Sequence, residues 1–298
     1  NSYYQIDGIA NEWVFAARSS YQGKIPVIDK LTSSLQDDKN FYRTEILQPQ
    51  TGNDSMKYNF RGISQFSSVR NTDTSSTLDK LGFKSDGTNL NLRYQNNTLL
   101  MDSLFGIKYN ISDRNPQKFA FHKLETQGNQ TLYQNEKALS LAFLTASPYK
   151  DIPFSNLTLD NQKNFLNHLT GQSLTYYQRL HPLKTGADDP SQGPQKAKVE
   201  ADSFLTYASI EYELYIQNDS QLYVNLPSLE FENEDYTDVE IITNGQVNRY
   251  TTDNVFPFFT IGHFTAGETV KVRIAFPENS TVTFQNPEFF ALNLQAYQ

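Results

Sequence analysis

An α+β fold is predicted: a mixed α/β domain over residues 1–184, a linker over 185–198, and an antiparallel, jelly-roll-like β-sandwich over 199–298. Three observations predict it. Apolar residues in the first part recur at helical spacing in some segments and crowd into short runs in others, so helices interleave with strands. Residues 185–195, TGADDPSQGPQ, combine Gly, Pro, Asp and Ser without periodicity, as a linker or long surface loop does. Beyond them lie short segments that alternate with period two between turn residues. The length of 298 residues suits two domains with a well-buried core.

The elements follow in order. In IPVIDKLTSSLQDDK (25–39), Ile28, Leu31 and Leu35 share one helical face and Pro26 suits the first turn. FYRTEIL (41–47) reads as a strand. NDSMKYNFRGISQFSSVRN (53–71) obeys neither period; it carries Tyr58, Phe60, Phe66, Arg61 and Arg70 among amides and hydroxyls. TSSTLDKLGF (74–83) is a short helix, capped by Thr74 or Ser75 and stopped by Gly82. LLMDSLFGIKYNIS (99–112) is a helical turn that breaks at Gly106 into a strand. FAFHKLETQGNQTLYQNE (119–136) is a hairpin turning at Gly128-Asn129. ALSLAFLT (138–145) reads as a compact apolar strand. LDNQKNFLNHLTG (159–171) is a helix with Asp160 as cap, Phe165 and Leu169 on one face, and Gly171 as stop.

In the last hundred residues the period changes to two. SIEYELYI (209–216) places Ile210, Tyr212, Leu214 and Ile216 on one face, and QLYVNLP places Leu222, Val224 and Leu226 together. DVEIITNGQVNRY carries Asn244-Gly245, the strongest two-residue hairpin signal. FPFFTI, TVKVRIAF and STVTFQN complete the set; in the second, Val270, Val272, Ile274 and Phe276 oppose Lys271 and Arg273.

Composition narrows the functions. A net charge of −8 gives no basic field to attract nucleic acid or anionic lipid, so both are disfavoured as partners. The absence of cysteine removes disulfides, thiol catalysis and thiolate metal sites, and suits a protein displayed outside a Gram-positive cell, where a lone thiol is an oxidation liability. No run approaches the roughly 18 apolar residues of a membrane helix. His122, His168, His181 and His263 are scattered, so no metal site is expected from them. GISQF (62–66) resembles half of a nucleophile elbow, but Phe66 stands where the motif needs a second Gly. Glu230, Glu232, Glu234, Asp235 and Asp238 form either a solvated acidic loop or a Ca²⁺ site without EF-hand spacing. No phosphate-cradling glycine loop occurs, and no cofactor is expected. The 39 Phe and Tyr side chains (21 plus 18) fill cores and strands or stack on sugars.

NDSMKYNFRGISQFSS, the short helix ending in LGF and TLLMDSLFGIKYNIS together resemble the external domain of YfhO-type bacterial membrane proteins. ALSLAFLTASPYKDIPFSN, NQKNFLNHLTG and the tail FFTIGHFTAGETVKVRIAFPENSTVTFQNPEFFALNLQ fit as well, so the resemblance runs from about residue 25 to the end. It implies a large extracytoplasmic domain of a polytopic membrane protein, at the extracellular face of the cell membrane. It also implies a GT-C type glycosyltransferase as the parent, moving a sugar from a polyprenyl-phosphate carrier to a surface polymer such as lipoteichoic acid. The chain is then expected to be the water-soluble part, not catalytic by itself, with a cell-surface glycan, the lipid-linked sugar and its own transmembrane region as partners. No catalytic residue is carried over, because no match to the family's acidic loop is found.

Candidate binding residues, toward a glycan or the membrane loops, are Asp54, Ser55, Tyr58, Asn59, Arg61, Ser64, Ser67, Ser68 and Asp102. Amides, hydroxyls and aromatic faces suit a polyhydroxylated polymer, and Arg61 suits a phosphate. The same residues could serve their own backbone instead, with Asp54 and Ser55 capping a turn, an Arg61–Asp102 pair and serines satisfying N–H groups. A free-standing carbohydrate-binding module and a secreted glycoside hydrolase are the alternatives.

Overall fold

Nineteen strands among the described residues carry the architecture of the chain, seen in a computed structural model. It describes residues 18–35, 40–69, 71–83, 91–94, 97–145, 152–185, 195–196, 198–201, 206–252 and 258–298. Residues 186–194, most of the expected linker, lie outside these, as do Arg70, the end of the 25–39 helix and the start of FPFFTI. The strands are β1 (Arg43–Ile46), β2 (Gln65–Phe66), β3 (Asn91–Leu92), β4 (Ile107–Ser112), β5 (Phe121–Gln127), β6 (Gln130–Asn135), β7 (Tyr177–Leu180), β8 (Lys184–Thr185), β9 (Gln195–Lys196) and β10 (Lys198–Ala201). They continue as β11 (Thr206–Tyr215), β12 (Ser220–Asn225), β13 (Glu230–Phe231), β14 (Asp238–Thr243), β15 (Gln246–Thr251), β16 (Phe258–Phe264), β17 (Thr269–Phe276), β18 (Val282–Phe284) and β19 (Glu288–Asn293). With the interspersed helices they make an α+β fold.

The first sheet has the order β1-β4-β6-β5, with β1 parallel to β4 and the remaining pairs antiparallel. The helix Ile25–Ser33 covers it as its spacing predicts: Ile28, Leu31 and the following Leu35 pack on Ile46, Tyr109, Ile111, Leu132 and Tyr58. Gly106, at φ +62°, makes the corner between the helical turn Leu99–Leu104 and β4. The Gly128-Asn129 hairpin joins β5 to β6.

Two antiparallel sheets follow, β10-β11-β17-β14-β15 and β16-β12-β19-β7. Their facing side chains form one core, with Ile210, Tyr212, Leu214, Val272 and Ile274 from the first against Leu222, Val224, Phe259, Ile261 and Phe289 from the second. Asn244 and Gly245 both have positive φ, 49° and 75°, as a two-residue type I′ turn requires.

The second of these sheets departs from simple alternation. QLYVNLP was expected to bury one face, yet Gln221 and Tyr223 are buried along with Leu222 and Val224. Tyr223, Phe258 and Leu292 point away from the sandwich into another core with Leu99, Leu104, Leu169 and Tyr176. This layer of N-terminal helices covers what would otherwise be the wet face of the sheet. Polar groups are satisfied across it: Tyr223 Oη accepts from the Leu99 N–H at 3.0 Å, and Tyr177 Oη donates to Gln162 Oε1 at 2.6 Å. Strand β7 pairs with β19 and β8 with β11, so strands on the N-terminal side of residue 186 complete both sandwich sheets.

Three local expectations are corrected. ALSLAFLT (138–145) forms no strand; Leu139, Leu141, Phe143 and Leu144 are exposed. The helix Thr72–Lys80 is capped neither by Thr74 nor by Ser75: the Asn71 side chain accepts from the Thr74 N–H, because Asn71 is the last extended residue before the helix. In the helix Thr158–Thr170, Asp160 is the third residue and pairs with Lys163 at 3.1 Å, whereas Leu157 occupies the cap position. Gly171, at φ +68°, ends that helix as expected.

Candidate functional site

The stretch 53–71 folds back on itself through its own polar side chains. Its only regular pieces among the described residues are the turn of helix Asp54–Lys57 and the two-residue strand β2. Asp54 is buried and ties the entry: Oδ2 accepts from the Gln50 N–H at 2.7 Å, and Oδ1 accepts from the N–H and hydroxyl of Thr51 at 2.9 and 2.8 Å. Asn53 Oδ1 accepts from the Phe66 N–H at 2.8 Å. The Ser55 carbonyl accepts from the Phe60 N–H, and Asn59 sits at φ +55° in between, a conformation asparagine tolerates. Ser67 Oγ serves Val69, donating to its carbonyl at 2.8 Å and accepting from its N–H at 3.3 Å; Ser68 is exposed.

Beneath the stretch lies a buried polar cluster that sequence reasoning largely missed. Glu45, on β1, accepts from the N–H groups of Ile63 and Ser64 and from Ser64 Oγ at 2.9 Å. Gly62 permits this approach: a Cβ there would stand 3.1 Å from both Glu45 Oε1 and Ser55 Cβ. Burial pushes the Glu45 carboxyl up to about 7, against the pull of those donors. Ser64 Oγ also accepts from the Tyr94 N–H at 3.2 Å. Its hydroxyl is thus committed to structure, with no histidine among its hydrogen-bond partners in the described residues.

Tyr94 leads deeper. Its Oη donates to Asp102 Oδ1 at 2.5 Å, and Lys118 Nζ reaches Asp102 Oδ2, Tyr94 Oη and Asn110 Oδ1 at 2.9, 2.9 and 3.1 Å. Asp102 is fully buried. Burial pushes its carboxyl up, and the Lys118 ammonium pulls the other way. The expected Arg61–Asp102 pair is therefore corrected: the partner is Lys118, which lies between β4 and β5. Nothing in the spacing of Lys118 marked it, since a single lysine in a loop is ordinarily a surface residue.

Tyr58, Asn59 and Arg61 do come together. With Lys57, Phe60, Tyr42, Thr44 and the polar side of the Ile25–Ser33 helix they line an open cleft of about 750 Å³. Tyr58 presents little surface there, because its ring packs in the core and its Oη donates to Gln50 Oε1 at 2.7 Å. Lys57 Nζ lies 4.7 Å from the same ring. Arg61 is exposed, its guanidinium held 5.2 Å from the Phe41 ring and 5.8 Å from the Tyr42 ring, with no carboxylate partner among the described residues. Thr44 Oγ1 is buried without a hydrogen-bond partner among them. Asp54, Ser64 and Asp102 stand outside the cleft as its support, and Ser67 and Ser68 do not line it. No group of three acidic or imidazole side chains converges on a metal-sized space among the described residues, the 230–238 segment included. There Glu232 accepts from the Thr281 N–H and pairs with the Ser280 hydroxyl.

The model of the family described as "Bacterial membrane protein YfhO" matches residues 1–298. The chain belongs to the YfhO family. No helix among the described residues is long and apolar enough to cross a membrane. Among curated proteins, none matches the sequence. Solved structures share only partial likeness with this YfhO-family chain. A family two carbohydrate esterase from Cellvibrio japonicus is 16% identical over 39% of this chain and 34% of its own, at a TM-score of 0.23. The CBM36-1 domain of a multidomain xylanase from the hindgut metagenome of Trinervitermes trinervoides is 8% identical over 33% of this chain and 95% of its own, also at 0.23. The insecticidal crystal protein Cry2Aa is 11% identical over 39% of this chain and 20% of its own, again at 0.23.

Proposed function

We propose that this chain is an extracytoplasmic, acceptor-binding domain of a membrane glycosyltransferase that draws on a lipid-linked sugar and modifies a surface polymer such as lipoteichoic acid. The reading is supported by membership of a membrane protein family together with the cleft beside the helix Ile25–Ser33. Two cationic side chains, Lys57 and Arg61, flank aromatic faces and hydroxyls in one opening. That combination suits a chain of polyols and phosphates: guanidinium and ammonium meet phosphate, while ring faces and hydroxyls meet the uncharged part. One carboxylate, Asp29, lines the cleft beside these cations; on this reading the domain holds the acceptor and the sugar transfer is carried out elsewhere in the parent protein.

The test uses Arg61→Ala and Lys57→Ala in the full-length protein. Tyr58→Ala is unsuitable, because a ring 1% exposed is part of the core. Surface glycosylation should fall with each substitution while the melting temperature of the domain stays unchanged. Glycosylation at the wild-type level in the double variant would remove the cleft from the reading.

A further inference from the structure

The segment 138–145, ALSLAFLT, carries no charge and holds four large apolar side chains, Leu139, Leu141, Phe143 and Leu144, all exposed. It is rooted rather than trailing. The Leu139 N–H donates to the Ser103 carbonyl at 2.9 Å, and the Leu139 carbonyl lies 3.0 Å from where a Cβ on Gly106 would stand. The segment thus rides on the Leu99–Gly106 corner, the same corner that starts β4. Between it and residues 40–42 is a hollow of about 400 Å³ whose lining includes Phe41, itself exposed.

Charge around this patch runs against the rest of the molecule. The chain has a net charge of −8, yet the hollow is lined by Lys108 and by no carboxylate among the described residues. Arg43 and Arg61 both place their guanidinium groups about 5 Å from the Phe41 ring, at 5.1 and 5.2 Å. Lys137, exposed, immediately precedes the segment, and the exposed Glu136 before it lies against His122 at 3.3 Å. An apolar tip with a cationic collar is the pattern of a surface that rests on an anionic bilayer. The aliphatic and aromatic groups enter the boundary below the headgroups, and the cations stay at phosphate level.

We infer that the 138–145 segment, with Phe41 and its flanking cations, is a contact surface for an anionic lipid bilayer. Membership of a membrane protein family supplies a bilayer close at hand. A second copy of the chain fits worse, since a self-complementary contact would set the cationic collar against itself. A glycan fits worse too, because leucine side chains offer neither hydrogen bonds nor a ring face. Arg61 is shared with the glycan-binding cleft, but Leu141 and Leu144 do not line that cleft, so variants there test the bilayer contact separately.

The test is flotation of the 298-residue chain with vesicles of phosphatidylcholine alone, or with a third of phosphatidylglycerol. The chain should float with the anionic vesicles, roughly tenfold more than with the neutral ones, and raised salt should reverse this. The double variant Leu141→Asp, Leu144→Asp should lose the flotation and keep its melting temperature, since both side chains are mostly exposed. The absence of native cysteine allows a polarity-sensitive dye on Leu144→Cys, with Val247→Cys, exposed on β15, as the control. Anionic vesicles should shift the emission of the first label and leave the second alone. Absence of flotation, unchanged flotation of the double variant, equal shifts at both labels, or a shift that follows protein concentration without lipid would each overturn the assignment.

Discussion

Glu45 shows how a residue can be functional for the fold without being functional for binding. Its carboxyl takes three donors from Ile63 and Ser64 and feels the Arg43 guanidinium, yet desolvation dominates and the carboxyl is pushed up to about 7. Between about pH 4.5 and 7 the folded chain therefore keeps a proton that the unfolded chain has released. Stability should fall as pH rises through that window, by about 3 kcal/mol at most from this group. Urea melts at pH 4.5 and 7.5 measure it, and Glu45→Gln should flatten the slope while leaving the low-pH stability near wild type. Lys118 presents the opposite case. Lys118→Met would leave the fully buried Asp102 facing only Tyr94, at a cost of about 3–5 kcal/mol. Adding Asp102→Asn should recover a good part of that loss, as equilibrium unfolding of the single and double variants would show. Neither role could be read from sequence. Burial of a lone carboxylate or lysine depends on which elements close over it, and no local period encodes that.

At the scale of elements, two glycines separate backbone need from steric need. Gly245 is at φ +75° with nothing within 4 Å of a Cβ position, so Gly245→Ala should cost only the backbone term, about 1 kcal/mol. Gly106 is at φ +62° and also faces the Leu139 carbonyl at 3.0 Å, so Gly106→Ala should cost distinctly more and loosen the 138–145 segment as well. Thermal melts rank the two, and amide exchange at Leu139 reports the loosening. Both turns were legible in the sequence, because glycine adopts such dihedrals at least cost. The error at ALSLAFLT has a physical origin too. A short uncharged apolar run reads alike whether it is a buried strand or an exposed loop, and only the presence of a pairing edge distinguishes them. The Leu139 N–H is held by a helical turn, at the Ser103 carbonyl, rather than by a strand.

For the whole molecule, the sandwich is not closed off from the N-terminal part. Tyr223, Phe258 and Leu292 bury their side chains against Leu99, Leu104 and Tyr176, and β7 and β8 lend pairs to both sandwich sheets. A fragment of residues 199–298 alone would lose those strands and expose that apolar face. It should aggregate or melt well below the intact chain, whereas a fragment starting at residue 172 keeps the strands and should be more soluble. Size-exclusion chromatography and calorimetry of the two fragments check this.

The sequence by itself determined the α+β class, the helix Ile25–Ser33, the two hairpins and the alternating strands of the sandwich, because each follows from a short-range period or a dihedral that few residues allow. It placed Tyr58, Asn59 and Arg61 in one irregular stretch, but among nine candidates of which the other six do not line the cleft. Tertiary structure alone decided that Glu45, Asp102 and Lys118 are buried, that both faces of β12 are covered, and that 138–145 stays bare. Those outcomes depend on contacts between segments tens to hundreds of residues apart, and desolvation at such contacts is set by the assembled surfaces rather than by any neighbour in the chain.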